Sequence, residues 1–472
     1  MSDRIALSKL VITLIITGII LLIPTHSFPI EGLTVVQHRI IAIFIMAALL
    51  WVLEPVPVFA TSLLIITLLL ISVSDKGLHF LISHGDGVGH PLGALLSYKM
   101  LLGSFSSPII ILFLGGFSLA IAASKYELDA NLARVLLRPF GKKIHFVMLG
   151  LMLITAMFSM FMSNTATTVM MMAIIGPLIA ANSAQDPGLK ALILAIPIAA
   201  NTGGIGTPIG TPPNAIAMQY LQNGGISFAQ WMSFGIPFVA VQLMIGWLLL
   251  RKLYPAQTPE LKIDLEGKFQ QGVKPWIVYI TFAATILLWL TTAWHGMNTY
   301  VVAIIPLAVF SLTGIITKQE LKQINWDVLW LVAGGIAMGL ALDKSGLAVK
   351  LAHAIRFDEL DGPVIIIVMT LVCYLMANFM SNTATANLLM PIAAAIGSSA
   401  DSLLPFGGQT SLLVFVALSA SLGMILPVST PPNALAYSSG LIETRDLMKT
   451  GIILGGSGLF LIYLAMAVSK LI

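Results

Sequence analysis

The chain has 472 residues, of which 58% are hydrophobic and 9% charged, with a net charge of +4. A soluble domain carries roughly 25% charged residues, so this composition excludes about three water-soluble domains and points to a single all-α polytopic domain in lipid. One cysteine, Cys373, excludes a disulfide framework and a multi-cysteine metal site. The modest positive charge reads as loop bias in a membrane protein, not as a nucleic-acid surface.

A spanning helix needs about 20 apolar residues. Taken in chain order, the apolar runs are 10–23, 39–53, 58–73, 101–124, 189–221, 231–250, 275–292, 299–316, 328–342, 409–441 and 451–470. They predict eleven crossings, with 189–221 and 409–441 broken in the middle. The first run follows Arg4 and Lys9 but is followed by Pro24 and His26, not a small-residue cleavage site, so it reads as a span. Two further apolar stretches, 144–182 and 362–398, are interrupted by polar residues and read as re-entrant hairpins. With the N-terminus in the cytoplasm, this arrangement puts most of the 24 Lys and Arg inside, as the positive-inside rule expects. The C-terminus then lies outside. Residues 125–143 read as an amphipathic helix in the cytoplasmic interface, and 343–361 as its outer counterpart. Residues 251–274, with Pro255 and Pro259, read as a cytoplasmic linker.

The two halves repeat. FMSNTAT stands at 161–167 and again at 379–385; TPPNAIA at 211–217 returns as TPPNALA at 430–436; Gly116 aligns with Gly335. The offset is 218 or 219 throughout. After the first helix each half holds five crossings, an odd number, so the second copy is inverted. Inverted repeats with broken helices meeting near the midplane are a transporter architecture.

The repeated letters are polar and helix-breaking. Three consecutive polar residues suit a hairpin tip, where backbone groups are left unpaired and must line a cavity. In TPPN, proline ends one helix and suits the first turn of the next, with Thr211 and Thr430 as expected N-caps. A half-helix N-terminus attracts an anion, and an ending half-helix offers carbonyls to a cation. No Arg, Lys, Asp, Glu or His lies centrally in a span, which argues against a proton relay. A neutral site that takes a dianion needs cations bound with it. Carrying a dianion inward against 100 mV costs roughly 4.6 kcal/mol, which two sodium ions cancel. An enzyme is not expected: the eight His lie at span ends or in loops, and Ser163 has no base in its own segment. Nothing calls for an organic cofactor.

Paired SNT motifs, each followed about 50 residues later by TPPN, resemble the divalent anion–sodium symporter family of di- and tricarboxylate carriers. The resemblance implies a homodimer in the plasma membrane, a bacterial inner membrane, whose transport domain moves against a scaffold in an elevator manner. It implies scaffold at 1–140 and 275–358 and transport segments at 141–250 and 359–472, joined by the 251–274 linker. It implies substrate contacts by Ser163, Asn164, Thr165, Ser381, Asn382 and Thr383, with Thr211, Pro212, Thr430 and Pro431 nearby. One sodium site would use Ser159, Ser163, Asn164 and the Gly210 carbonyl; the other Ser381, Asn382 and the Ser429 carbonyl. The repeat mate of Ser159 is Ala377, which has no hydroxyl, where the family usually has Ser or Thr. The expected activity is sodium-coupled uptake of a C4-dicarboxylate such as succinate, fumarate or malate. A sodium-independent exchanger of dicarboxylate or citrate, and a sulfate carrier, stay open.

Overall fold

Helix starts follow local chemistry. Thr34 with Gln37, and Ser227 with Gln230, close reciprocal capping boxes. Asp186 accepts from Gly188 N ahead of Pro187, and both TPPN segments place proline in the first turn. The computed structural model describes residues 2–28, 30–82, 91–180, 186–221, 226–257, 260, 269–354 and 360–469. Among them are nineteen helices of eight or more residues and no strand.

In the first half these are α1 (Ser2–Leu22), α2 (Val35–Leu53), α3 (Val58–Ser72), α4 (Pro108–Lys125), α5 (Leu128–Leu137), α6 (Ile144–Ser159), α7 (Asn164–Ala180), α8 (Pro187–Gly203), α9 (Pro212–Tyr220) and α10 (Phe228–Leu253). The second half follows with α11 (Val273–Leu290), α12 (Thr299–Leu312), α13 (Trp326–Lys344), α14 (Leu347–Ala354), α15 (Gly362–Ala377), α16 (Asn382–Ser399), α17 (Gly408–Ser421), α18 (Pro431–Ser438) and α19 (Thr444–Ser469). Eight helical segments are long and apolar enough to cross a membrane. Three of the expected crossings rest on shorter helices: α3 has 15 residues, and α12 and α17 have 14 each. Much of the 251–274 linker lies outside the described residues, as do 355–359 of the outer amphipathic segment.

Packing repeats as the sequence does. α3 of the first half crosses α13 of the second, and α12 of the second crosses α4 of the first. Both crossings are close for the same reason. A Cβ on Gly115 would stand 2.1 Å from the Ala303 carbonyl oxygen, and one on its repeat mate Gly334 would stand 2.3 Å from Ser62 Cβ. Exchange of partners continues inside: α8 packs on α18, and α17 on α9. α8 is almost wholly buried, whereas α1 packs on α2 and is otherwise exposed. α5 does more than lie in an interface. Asp129 and Asn131 are buried, with Asp129 accepting from Ser124 Oγ at 2.6 Å, and the helix packs on both arms of the α6–α7 hairpin.

A candidate substrate and ion site

Each SNT motif forms the turn between two hairpin arms. α6 ends at Ser159 and α7 begins at Asn164; α15 ends at Ala377 and α16 begins at Asn382. Ser163 Oγ accepts from Ala166 N at 3.2 Å, and Ser381 Oγ from Ala384 N at 3.2 Å. The SNT serines thus cap the returning arms, and each hydroxyl keeps its own proton to donate.

The TPPN asparagines hold the unwound segments. Breaking a helix frees carbonyls that must find donors. Asn214 Nδ2 donates to Gly204 O at 3.0 Å, Ile205 O at 3.3 Å and Thr207 O at 2.8 Å. Asn433 Nδ2 donates to Met424 O at 2.9 Å and Leu426 O at 3.1 Å. The breaks are tied to the tips as well: the Thr207 hydroxyl donates to the Met160 carbonyl, and Ser429 Oγ to the Asn378 carbonyl at 3.0 Å.

The expected threonine caps divide. Thr430 Oγ1 accepts from Asn433 N at 3.3 Å, whereas Thr211 takes the cap position without a side-chain cap bond. Asn201 accounts for the difference. Its Nδ2 donates to Thr430 Oγ1 at 3.0 Å and to Asn433 Oδ1 at 3.1 Å, fixing that cap. The repeat mate of Asn201 is Ala420, which cannot do this for Thr211.

A cavity of about 550 Å³ collects these elements. Its walls include Ser163, Asn164 and Thr165 of the first tip and Ser381, Asn382 and Thr383 of the second. Gly210, Thr211 and Pro212 of the first break join them, with Ser429, Thr430 and Pro431 of the second. Among the helices that begin at its wall are α7, α9, α16 and α18, which start in these motifs. Their N-termini present partial positive charge to an anion. Among the described residues no Lys, Arg or His lines it; the one charged lining residue is Asp327, in the first turn of α13.

Ser159 does not reach the cavity. It is fully buried behind Asn164 and donates to Ala200 O at 2.7 Å. The end of the Asn164 amide lies 2.6 Å from Ser159 Oγ, 3.3 Å from Ala200 O and 3.2 Å from Gly210 O. With Nδ2 inward, the amide donates to all three. With Oδ1 inward, it accepts from Ser159 Oγ at 2.6 Å beside the Ala200 and Gly210 carbonyls, a set of oxygens that a hard cation would suit.

A second hollow of about 450 Å³ adjoins the first, sharing Phe117, Met162, Ser163, Ala166 and Asn325. Lys125 and Glu320 stand on its wall, with Nζ to Oε1 at 2.6 Å. The hydrogen bond from Lys125, then those from Thr317, hold the Glu320 carboxyl down at about 2.

Sequence reasoning placed the two tips and breaks but missed Asn201, Asn214, Asn433 and Asp327. The two TPPN asparagines were legible: an Asn three residues after a cap, inside a repeated motif, has a break to staple. Asn201 has alanine at its repeat position, so no repeated letter flags it.

Comparisons with known proteins bear on the family and the fold. Residues 48–407 match a family described as citrate transporter. The Staphylococcus aureus sodium-dependent dicarboxylate transporter SdcS is 31% identical over 453 residues, covering 87% of this chain and 82% of that protein. An uncharacterized transporter of Schizosaccharomyces pombe, C3B8.04c, is 30% identical over 461 residues; this chain spans about half of its length. Among solved structures, the Alcanivorax borkumensis YdaH transporter aligns with a TM-score of 0.57 at 13% identity, over 88% of this chain and 97% of that one. Neisseria gonorrhoeae MtrF aligns at 0.52 and 15%, over 87% and 94%. These two likenesses concern the fold alone. The family match and the extent of the SdcS similarity place this chain in the citrate transporter family, of the divalent anion–sodium symporter type: it is a transporter and not an enzyme.

Proposed function

We propose that the protein takes up C4-dicarboxylates coupled to sodium, by alternating access. One observation carries this reading. Two SNT tips and two TPPN breaks line one cavity, each with a helix N-terminus, and among the described residues no basic side chain joins them. Such a site attracts carboxylates yet cannot neutralise a dianion, so the cations must travel with it. Asp327 in the wall increases that demand. Its size, about 550 Å³, lies within the usual range of roughly 300–1,000 Å³ for small-molecule sites.

In this reading Ser163, Asn164, Thr165, Ser381, Asn382 and Thr383 hold the carboxylates, with Thr211, Pro212, Thr430 and Pro431 at the helix starts. Ser159, Ser163, Asn164 and the Gly210 carbonyl hold one sodium ion; Ser381, Asn382 and the Ser429 carbonyl hold the other. The Ser159 hydroxyl and the Ala200 and Gly210 carbonyls, gathered around the Asn164 amide, support the first of these sites. The chain crosses a bacterial inner membrane eleven times, N-terminus inside and C-terminus outside, with both hairpins re-entrant and the repeats inverted. Segments 141–250 and 359–472 move together as an elevator against 1–140 and 275–358 in a homodimer. Reciprocal packing of the halves supports the inversion. The adjoining hollow carries Lys125 and Glu320, on the side assigned to the cytoplasm, so this is an inward-open state.

Uptake of radiolabelled succinate into proteoliposomes, with sodium or with choline outside, tests the reading. Uptake should need sodium; equal uptake in choline removes symport. Ala377, buried and without a hydroxyl, and the name of the matched family favour a second reading, sodium-independent exchange of dicarboxylate or citrate. Counterflow driven by internal anion in choline is its signature.

A further inference from the structure

We propose that Ser419 supplies the second cation site with the hydroxyl that Ala377 withholds. The inference rests on the sodium-coupled reading and names a ligand for it. Residues 193–217 align without a gap on 412–436, and α6 aligns residue for residue on α15. The first cluster of Ser159, Asn164, Ala200 and Gly210 therefore maps onto Ala377, Asn382, Ser419 and Ser429. Position 419 is the counterpart of Ala200, whose carbonyl stands 2.7 Å from Ser159 Oγ and 3.3 Å from the Asn164 amide.

The second half retains that packing. α17 lies against both α15 and α16. A Cβ on Gly423 would stand 2.5 Å from Ala377 Cβ, and Cys373 Sγ donates to Val416 O at 3.3 Å. Ser419 is one helical turn before Gly423 and three residues after Val416, so it shares the face of α17 that borders α15.

Ser419 is fully buried, and its Oγ has no hydrogen-bond partner among the described residues; nor has Asn382 Oδ1. A buried helical serine ordinarily bonds back to the carbonyl four residues earlier, as Ser421 does to Ala417 at 3.2 Å. Ser419 does not, although an orphaned buried hydroxyl is costly and alanine serves at its repeat mate. The neighbouring polar groups are committed. Ser429 Oγ donates to Asn378 O and accepts from Leu426 N, both at 3.0 Å. Asn378 spends Nδ2 on Tyr374 O at 2.7 Å and Oδ1 on Ile425 N at 2.9 Å. Asn382 Oδ1 and Ser419 Oγ are thus left without partners, on two helices packed against each other and against α15, and both are hard ligands suited to sodium.

The test is Ser419→Ala, read in two ways: the sodium concentration for half-maximal succinate uptake, and the rise in Tm that sodium over choline gives the detergent-purified protein. Ser419→Ala should raise the half-maximal concentration about tenfold, the loss of one ligand to a charge, and cut the Tm rise. Ser419→Cys, of similar volume but with a soft sulfur, should match it if the alanine variant folds poorly. Adding Ala377→Ser to Ser419→Ala should restore sodium dependence. A wild-type protein that answers sodium, with variants that answer equally, overturns the role of Ser419 alone. A wild type indifferent to sodium in both assays overturns the sodium-coupled reading and this inference with it.

Discussion

The two hairpin tips share seven identical residues but not a resting place. At the first tip, Phe161 and Ile209 pack into an apolar cluster with α11 and α12, and Phe161 meets the Phe282 ring edge-on at 6.5 Å. Their repeat mates at the second tip, Phe379 and Val428, are 77% and 79% exposed. The frame around them shows no such difference: Gly115 against Ala303 and Gly334 against Ser62 are matching close crossings. Where tips meet frame, the match fails again. Gly116 faces Ile209, whereas a Cβ on Gly335 would stand 2.1 Å from Asn387 Oδ1. On the proposed alternating-access reading, a symmetric frame with an asymmetric insert is what a two-state carrier needs; here the first tip is packed on the frame and the second is exposed.

The largest expected effects lie where the halves agree. Asn214→Ala would leave three buried carbonyls without their donor, and Asn433→Ala two, with Asn201 also losing a partner. At about 1–3 kcal/mol for each unsatisfied group, both variants should unfold at clearly lower temperature in detergent and lose uptake. Wild-type melting in either would mean that the breaks are held by something other than these amides. Next come Gly115→Ala and Gly334→Ala, each driving a methyl into a helix crossing. Overpacking of this kind costs about 1–3 kcal/mol, and the two losses should be equal. Unequal shifts in Tm would contradict a symmetric frame.

What was legible in the sequence follows the same division. Repeated letters with a strong local meaning, such as proline at a helix start or three polar residues at a tip, located both tips, both breaks and the polar residues they bring to the cavity wall. Residues outside the repeated letters escaped. Asn201 reads as one more small polar residue in an apolar helix, and only the fold shows it reaching Thr430 and Asn433 across 229 and 232 residues. Asp327, just ahead of the apolar run 328–342, belongs to no repeated motif; that this helix end borders the cavity is a tertiary fact. Ser159 was expected among the ligands, and its burial behind Asn164 depends on how α6 meets α8. For the crossings, eight of the expected runs hold helices long and apolar enough among the described residues, and α3, α12 and α17 are shorter apolar helices.

A middle-sized effect belongs to the ion side of the comparison. Ser159→Ala removes the hydroxyl that reaches Asn164 and Ala200; about 1–2 kcal/mol corresponds to roughly five- to thirtyfold more sodium for half-maximal uptake. Asp327→Asn should act in the opposite sense and more weakly. Removing a carboxylate that faces the cavity lessens repulsion of the anion, so the KM for succinate should fall a few-fold at fixed sodium. A rise in KM would show that Asp327 serves by holding a cation and not merely by its charge.

The smallest expected change in stability distinguishes the tips themselves. Phe161→Ala removes a ring packed on Phe282, whereas Phe379→Ala removes one that is mostly exposed. Surface substitutions usually stay within about 0.5 kcal/mol, so Phe379→Ala should melt like the wild type while Phe161→Ala melts lower. Uptake should nevertheless slow in Phe379→Ala. Under the proposed alternating access, the pseudo-two-fold would carry Phe379 to a place on the first half equivalent to the one Phe161 now fills. Its ring then contributes to the alternative state and not to this one. Equal melting losses in the two variants would mean that both tips are docked at once, and normal uptake in Phe379→Ala would mean that the second tip never docks.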